Sequence, residues 1–119
     1  MVFKPDISML QKLISDEKDE RYRYLLRHGQ VHSVEMQTST IYVEMKQIPG
    51  VLIVYRRPSE RQANPEKIVL DQRSLQAVPL LEGEEAIKVL VLSNNNIKKI
   101  DHLVSLPNLQ VLDLNSNKL

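Results

Sequence analysis

The apolar positions of this chain follow one period in its first quarter, a second in its middle and a third to its end. Ile7, Leu10, Leu13 and Ile14 form a stripe at helical spacing. Asp6 or Ser8 is placed to cap that helix, with Gln11 three residues after Ser8 as a capping box requires. A further helical stretch starts near Ser15 or Asp16 and runs through Tyr22, Leu25 and Leu26 to Gly29, a residue suited to a C-cap. One helix or two satisfies the pattern equally. From Thr38 the period becomes two, Ile41, Val43 and Met45 alternating with Tyr42, Glu44 and Lys46. Pro49-Gly50 then suits the centre of a turn, and the apolar run Val51 to Tyr55 completes a hairpin. Two strands alone are marginal in water, so the helix before them or the chain after them is expected to cover them. Residues 1 to 5 read as a loose lead-in, and Arg56 to Asn64 as a polar linker or exposed loop.

The third period is 22 residues long. At that offset Ile87 falls on Leu109, Leu90 on Leu112, Leu92 on Leu114, Asn95 on Asn117 and Ile97 on Leu119. In Leu90-Val91-Leu92 the two leucines point one way and the valine the other, as in a half-buried strand. The chain must turn sharply after such a strand, leaving N–H and C=O groups that no ladder satisfies. A side chain that both donates and accepts can satisfy them, which accounts for Asn95 and Asn117. Ile97 and Ile100 are expected to re-enter the core. Leu103 and Leu106, three apart, suit a short helical or 3₁₀ turn that Pro107 ends. The same frame counted backwards lands on Pro65, Ile68, Leu70, Leu75 and Val78. There it departs twice, with Arg73 in place of the asparagine and Glu84 in place of Leu106. Arginine donates but cannot accept, so the amide ladder is expected to begin at Asn95. This degenerate unit reads as an N-terminal cap with a polar outer side.

The recurring L-x-x-L-x-L-x-x-N-x-L pattern, and the Asn-x-Ile-x-x-Ile-x-x-Leu-x-x-Leu-x-x-Leu frame from Asn95 to Leu109, resemble the short, 22-residue class of intracellular leucine-rich repeat. A phosphatase-1 regulatory subunit, an axonemal dynein light chain and a spliceosomal A-prime protein belong to that class. The resemblance covers Pro65 to Leu119. It implies an α/β fold: a solenoid with parallel strands on the concave side and 3₁₀ or short helical segments on the convex side. The expected organisation is a helix-and-hairpin (α+β) extension over residues 1–58, followed by the cap and first repeats over 59–119. The pattern stops in mid-repeat, so more repeats are expected after Leu119. The leading unit LDQRSLQAVPLLEGEEAIKVL is also similar to the start of the repeats in the leucine-rich-repeat subunit of the tubulin polyglutamylase complex. That similarity implies a non-catalytic subunit of a cytoskeletal or ciliary, microtubule-associated complex, with tubulin-modifying enzyme subunits among its partners. The class as a whole leaves open a nuclear RNA-processing complex or a phosphatase regulator.

Composition narrows this further. The net charge is +1, from 16 basic and 15 acidic residues, which does not support binding to nucleic acid or membrane by bulk electrostatics. The chain has no cysteine. Extracellular leucine-rich domains commonly close their ends with disulfides, so a reducing compartment is expected. No apolar run approaches a membrane span and no signal-peptide order is present at the start. A cytoplasmic protein, in a cytoskeletal, centrosomal or ciliary setting, is the expectation.

Catalytic and metal chemistry find little footing. His28 and His32 are four apart, but Gly29 interrupts the helix between them and no third ligand is placed. Asp101-His102 has no nucleophile tied to it by a motif. Gly29, Gly50 and Gly83 form no phosphate-cradling loop. Arg21-Tyr22-Arg23-Tyr24 and Arg27 mix cation and ring as single-strand binders do. However, Asp16, Glu17, Asp19 and Glu20 would pair with those arginines on a solvated helix face. No enzyme activity and no cofactor are expected. The candidate binding surface is instead the concave face, where stacked strands place Val69, Val91 and Asp113 in one row and Asp71, Ser93 and Asn115 in the next. A protein partner is the expected occupant, with no direct nucleic-acid contact and no membrane.

Overall fold

Asp6 and Asp19 each open a helix by the same device. Asp6 accepts the Met9 N–H on Oδ1 (2.8 Å) and the Leu10 N–H on its carbonyl (3.0 Å), and α1 spans Ile7–Asp16. Asp19 accepts the Tyr22 N–H on Oδ2 (3.1 Å) and the Arg23 N–H on its carbonyl (3.1 Å), and α2 spans Glu20–His28. A side-chain acceptor at this position satisfies a donor that the first turn leaves bare. The apolar stretch is therefore two helices, and Asp19, rather than Ser15 or Asp16, caps the second. The computed structural model describes residues 2–16 and 19–119, with side chains for 4–12 and 19–119. The side chains of Leu13 and Ile14 in the predicted stripe, and the pairing of Asp16 and Glu17 with the arginines, lie outside the described side chains.

The chain divides into two compact units, 1–61 and 62–119. In the first, β1 (Val2–Phe3), β2 (Gln30–Glu35), β3 (Thr40–Glu44) and β4 (Leu52–Tyr55) lie side by side in that order, each antiparallel to the next. Two expectations are corrected here. The lead-in contributes a strand, Val2 and Phe3 pairing with Glu35 and Val34. The hairpin is also flanked by β2, which the period-two pattern missed because a bulge between Val31 and Ser33 breaks the alternation at His32. Strand β3 is thus an interior strand, and Thr40, Ile41, Tyr42 and Val43 are all buried. The β2–β3 connection turns at residues 36–39 with Ser39 at φ 48°. In the β3–β4 connection, Val51 N–H bonds Ile48 C=O (3.3 Å) across Pro49-Gly50. Gly50 has φ 80°, and its N–H is held by Glu44 Oε2 at 3.0 Å.

Helix α2 lies on the face carrying Ile41, Val43, Ile53 and Tyr55, its Tyr22, Leu25 and Leu26 buried. The Tyr22 and Tyr55 rings are 6.3 Å apart, and the Tyr55 hydroxyl donates to Asp19 Oδ2 at 2.6 Å. Gly29 ends the helix for a reason other than left-handed backbone. Its φ is −92°, but an added Cβ would lie 2.1 Å from Val43 Cγ1 and 2.9 Å from the Met45 sulfur. Arg56 to Asn64 is not a loop. Pro58 opens a short helix, α3 (Pro58–Ala63), where its missing N–H costs nothing, and Arg56 is buried. Arg61 donates to the Arg56 carbonyl (3.1 Å) and lies 4.9 Å over the Tyr55 ring.

In the second unit, β5 (Lys67–Val69), β7 (Val89–Val91) and β8 (Val111–Asp113) are parallel neighbours, while β6 (Leu80–Leu81) is a short extended segment of the first return limb. Their register is Ile68 on Leu90 on Leu112, so the sequence period of 22 is the hydrogen-bond register of the sheet. Inward residues Ile68, Leu70, Leu75, Leu90, Leu92 and Ile97 are buried, whereas Leu112 and Leu114 are half-buried and Leu119 is exposed. Leu90, Leu92 and Ile97 of the middle coil lie between two others, whereas the third coil has a neighbour within this chain on one side only. Ile100 is corrected for the same reason. Its limb bonds to the preceding one through the Val78 N–H and Lys99 C=O (3.3 Å), and the side chain itself is exposed. Glu84, expected on a polar outer side, is buried like Leu106, its counterpart. A 3₁₀ turn forms at Leu103–Ser105, but the first return limb carries β6 and a turn at Gly83 (φ 79°) instead.

Two predictions follow from the first unit. Gly29→Ala should lower stability by about 1–3 kcal/mol through overpacking against Val43, read as a reduced denaturant midpoint; an unchanged midpoint would refute the close approach. Burial first, and then the hydrogen bond to Asp19, push the Tyr55 phenol up to about 12, with Arg61 opposing. A raised phenol stabilises the fold fully below its unfolded value near 10 and loses that contribution as pH climbs towards 12. The stability difference between wild type and Tyr55→Phe should accordingly be constant below pH 10 and shrink above it. A difference that stays flat to pH 12 would show the phenol to be unshifted.

Candidate partner-binding face

The geometry of the exposed face is set from behind, by the amide of Asn95. Its Oδ1 accepts the N–H groups of Arg73 (2.8 Å) and Leu75 (3.1 Å) from the preceding coil. Its Nδ2 donates to the carbonyls of Leu70 (2.9 Å), Leu92 (2.9 Å) and Ser93 (3.1 Å). One side chain thus satisfies backbone on two coils where the strands end, in a buried setting in which an unmet polar group is costly. Asn117 repeats the arrangement, accepting from the Ile97 N–H (2.9 Å) and donating to Leu92 (2.9 Å) and Leu114 (3.0 Å) carbonyls. Arg73 instead donates through its guanidinium to the Asp71 carbonyl.

Just before each of these positions the backbone turns left-handed, at Gln72 (φ 55°), Asn94 (φ 57°) and Ser116 (φ 57°). These residues are again 22 apart. Interstrand bonds run up to this turn, from Gln72 N–H to Ser93 C=O (3.2 Å) and from Asn94 N–H to Asn115 C=O (2.9 Å). The rows expected from the sequence therefore form. Val69 pairs with Val91 and Val91 with Asp113. Asp71 meets the next coil through Ser93, whose hydroxyl donates to Asp71 Oδ1 at 2.8 Å, and Asn115 follows beyond Ser93.

A third row completes the face and was missed: Lys67 pairs with Val89 and Val89 with Val111. The same alternation carried two residues back along each strand would have found it. With it, Val69, Val89, Val91 and Val111 form a continuous aliphatic patch, of which Val69 is 48% and Val111 51% exposed. Asn94 was missed too, because it sits in the turn and outside the strand alternation. Its Nδ2 donates to Asp71 Oδ1 at 2.8 Å. The amide of Asn94 and the hydroxyl of Ser93, aided by the charge of Arg73, hold the Asp71 carboxyl below the usual range. Asp71 is therefore ionised throughout the neutral region. Asp113 is fixed by accepting the Asn115 N–H on Oδ1 at 2.9 Å.

The other sequence candidates do not assemble. His28 ends α2 with its ring tilted against Tyr24 (4.6 Å between ring centroids), whereas His32 is in β2 beside Glu44 Oε1 at 3.3 Å. A cleft of about 400 Å³ lies between His28, Gly29, Gln30, Glu44, Met45, Lys46 and Pro49, with a lining of mixed charge. Among the described residues no group of three His, Cys, Asp or Glu gathers as a metal would need.

Replacing Asn95 by Ala removes five hydrogen bonds at a buried turn and should cost roughly 3–5 kcal/mol, against about 1–2 kcal/mol for Asn117→Ala at its half-buried position. Denaturant titration of the two variants checks the order. Equal losses would mean that the amides do not act through burial.

Comparison with known families gives one match: residues 85–119 fit the family model described as Leucine Rich repeats (2 copies). No curated protein and no solved structure matches the chain significantly. The match covers the segment that supplies β7, the 3₁₀ turn and β8.

Proposed function

We propose that this protein is a non-catalytic scaffold that binds a protein partner on the face of its parallel strands. Leucine-rich-repeat segments generally mediate protein–protein interaction, and the match over residues 85–119 supports a partner of that kind. The observation that carries the reading is the valine patch. Four aliphatic side chains on a three-stranded sheet, two of them about half exposed, are a surface that a soluble protein gains little by leaving in water. The rim of this patch is polar and held in place by hydrogen bonds, as the edge of a docking surface is. In the described residues no helix is long and apolar enough to cross a membrane.

The repeats fit a short solenoid in which each coil supplies one strand and one row of the face. The similarity of the leading unit to the polyglutamylase subunit extends the proposal to a cytoplasmic, microtubule-associated complex. Co-sedimentation with polymerised tubulin and its modifying enzymes tests that extension separately; recovery with nuclear ribonucleoprotein alone would replace it with the RNA-processing alternative.

For the face itself, Val91→Asp and Val111→Asp should each weaken partner capture by the full chain at least tenfold, since a carboxylate at the centre of a buried patch is left unpaired. Stability should change less for Val111, about half exposed at the edge of the sheet, than for Val91, which is half-buried on the central strand beside Asp113. The proposal fails if both variants fold and capture the same partners with unchanged yield.

A further inference from the structure

The two carboxylates of the face are arranged alike. Asp71 directs Oδ1 to the Ser93 hydroxyl and the Asn94 amide, and Asp113 directs Oδ1 to the Asn115 N–H. In both, Oδ2 has no protein donor among the described residues. Each is therefore an oriented, half-engaged carboxylate beside the aliphatic patch. A carboxylate fixed in this way has already lost much of its rotamer freedom, so an incoming cation does not have to order it.

Their placement is asymmetric. Asp71 lies two residues past the end of the first strand, where the chain turns, and Asp113 in the middle row of the third. Two strand spacings, roughly 10 Å, separate them across the sheet. Lys67, the cation within the strand rows themselves, sits at the start of the first strand, four residues and about 13 Å from Asp71, and the charge of Arg73 reaches Asp71 from the turn that follows. The valines occupy the space between these charges. A partner that covers the valines must accordingly bring its own apolar side chains to the centre and place positive charge at the Asp71–Asp113 side. An acidic segment would meet two fixed carboxylates there, and a wholly apolar one would strip water from them without replacement.

Resting on the reading of this face as the binding surface, we infer that its occupant is a basic, aliphatic segment of a protein partner. Branched aliphatic side chains sit on Val69, Val89, Val91 and Val111, and a Lys or Arg reaches Oδ2 of Asp71 or Asp113. Charge then sets which segments bind and in which direction, while the valines supply most of the affinity.

The test is selection of displayed random peptides on the immobilised full chain, repeated on Val91→Asp/Val111→Asp and on Asp71→Asn/Asp113→Asn. Peptides retained by the wild type and lost on the valine variant should pair aliphatic residues with Lys or Arg. On the asparagine variant the aliphatic positions should persist and the basic ones disappear. A synthetic peptide from the wild-type set should bind the asparagine variant roughly 3- to 10-fold more weakly, and lose the salt dependence it shows with wild type. Valine-dependent peptides without basic residues, or with acidic ones, would overturn the inference while leaving the face as a binding surface. Retention of no valine-dependent peptide would overturn both.

Discussion

The second unit depends on one constraint, that backbone groups freed where its strands end must find partners inside the coil. The amide of Asn95 meets it for two coils at once, with Oδ1 turned to the coil before and Nδ2 to the strand ends of Leu70 and Leu92. Because donor and acceptor belong to one group, the side chain ties neighbouring coils together where the strand ladder stops. That locks the strand register at 22, and the register decides which side chains share a row. The composition of the exposed face is thus a consequence of a residue that is not on it.

The first unit is held differently, by the fit of a helix to a sheet. Absence of a side chain at Gly29 lets the end of α2 descend onto Val43 and Met45, and Asp19 at the other end both caps the helix and accepts from Tyr55. One end is positioned by close approach and the other by a charged hydrogen bond. Arg61 over the Tyr55 ring adds a cation to that ring and ties α3 to the sheet. Neither arrangement requires a repeat, which is why no period connects this half of the chain to the other.

What could be read in advance follows that division. The leucine spine, the two ladder asparagines and two rows of the face were legible because a repeat states the same information several times, and an offset of 22 exposes it. In the first unit each contact is made once. The bulge at His32 erased the alternation that would have revealed β2, and Pro58, read as a loop signal, stands where a helix begins. Arg56 and Glu84 were assigned to the surface by residue type, yet both are buried. Sequence periodicity reports which face a residue occupies, and it says nothing of whether a neighbouring segment then covers that face. Lys67, Val89 and Val111 are legible by the same alternation, because the strands begin two residues before the row of Val69, Val91 and Asp113.

The left-handed turns join the two properties of the repeat unit. Gln72, Asn94 and Ser116 occupy the same step of successive coils, each at a φ near 55° that only glycine adopts without cost. Glycine there would relieve the strain, but at position 94 it would also delete the amide that grips Asp71. Asparagine is among the residues that tolerate this conformation best, and here it turns the backbone and orients a carboxylate on the neighbouring strand. The interior asparagine and the turn asparagine are adjacent in sequence and face opposite ways, Asn95 into the coil and Asn94 onto the surface. The same two-residue step that closes the backbone hydrogen bonding therefore also fixes the charge at the edge of the valine patch, so the solvent-facing chemistry of this unit is built on its folding requirement.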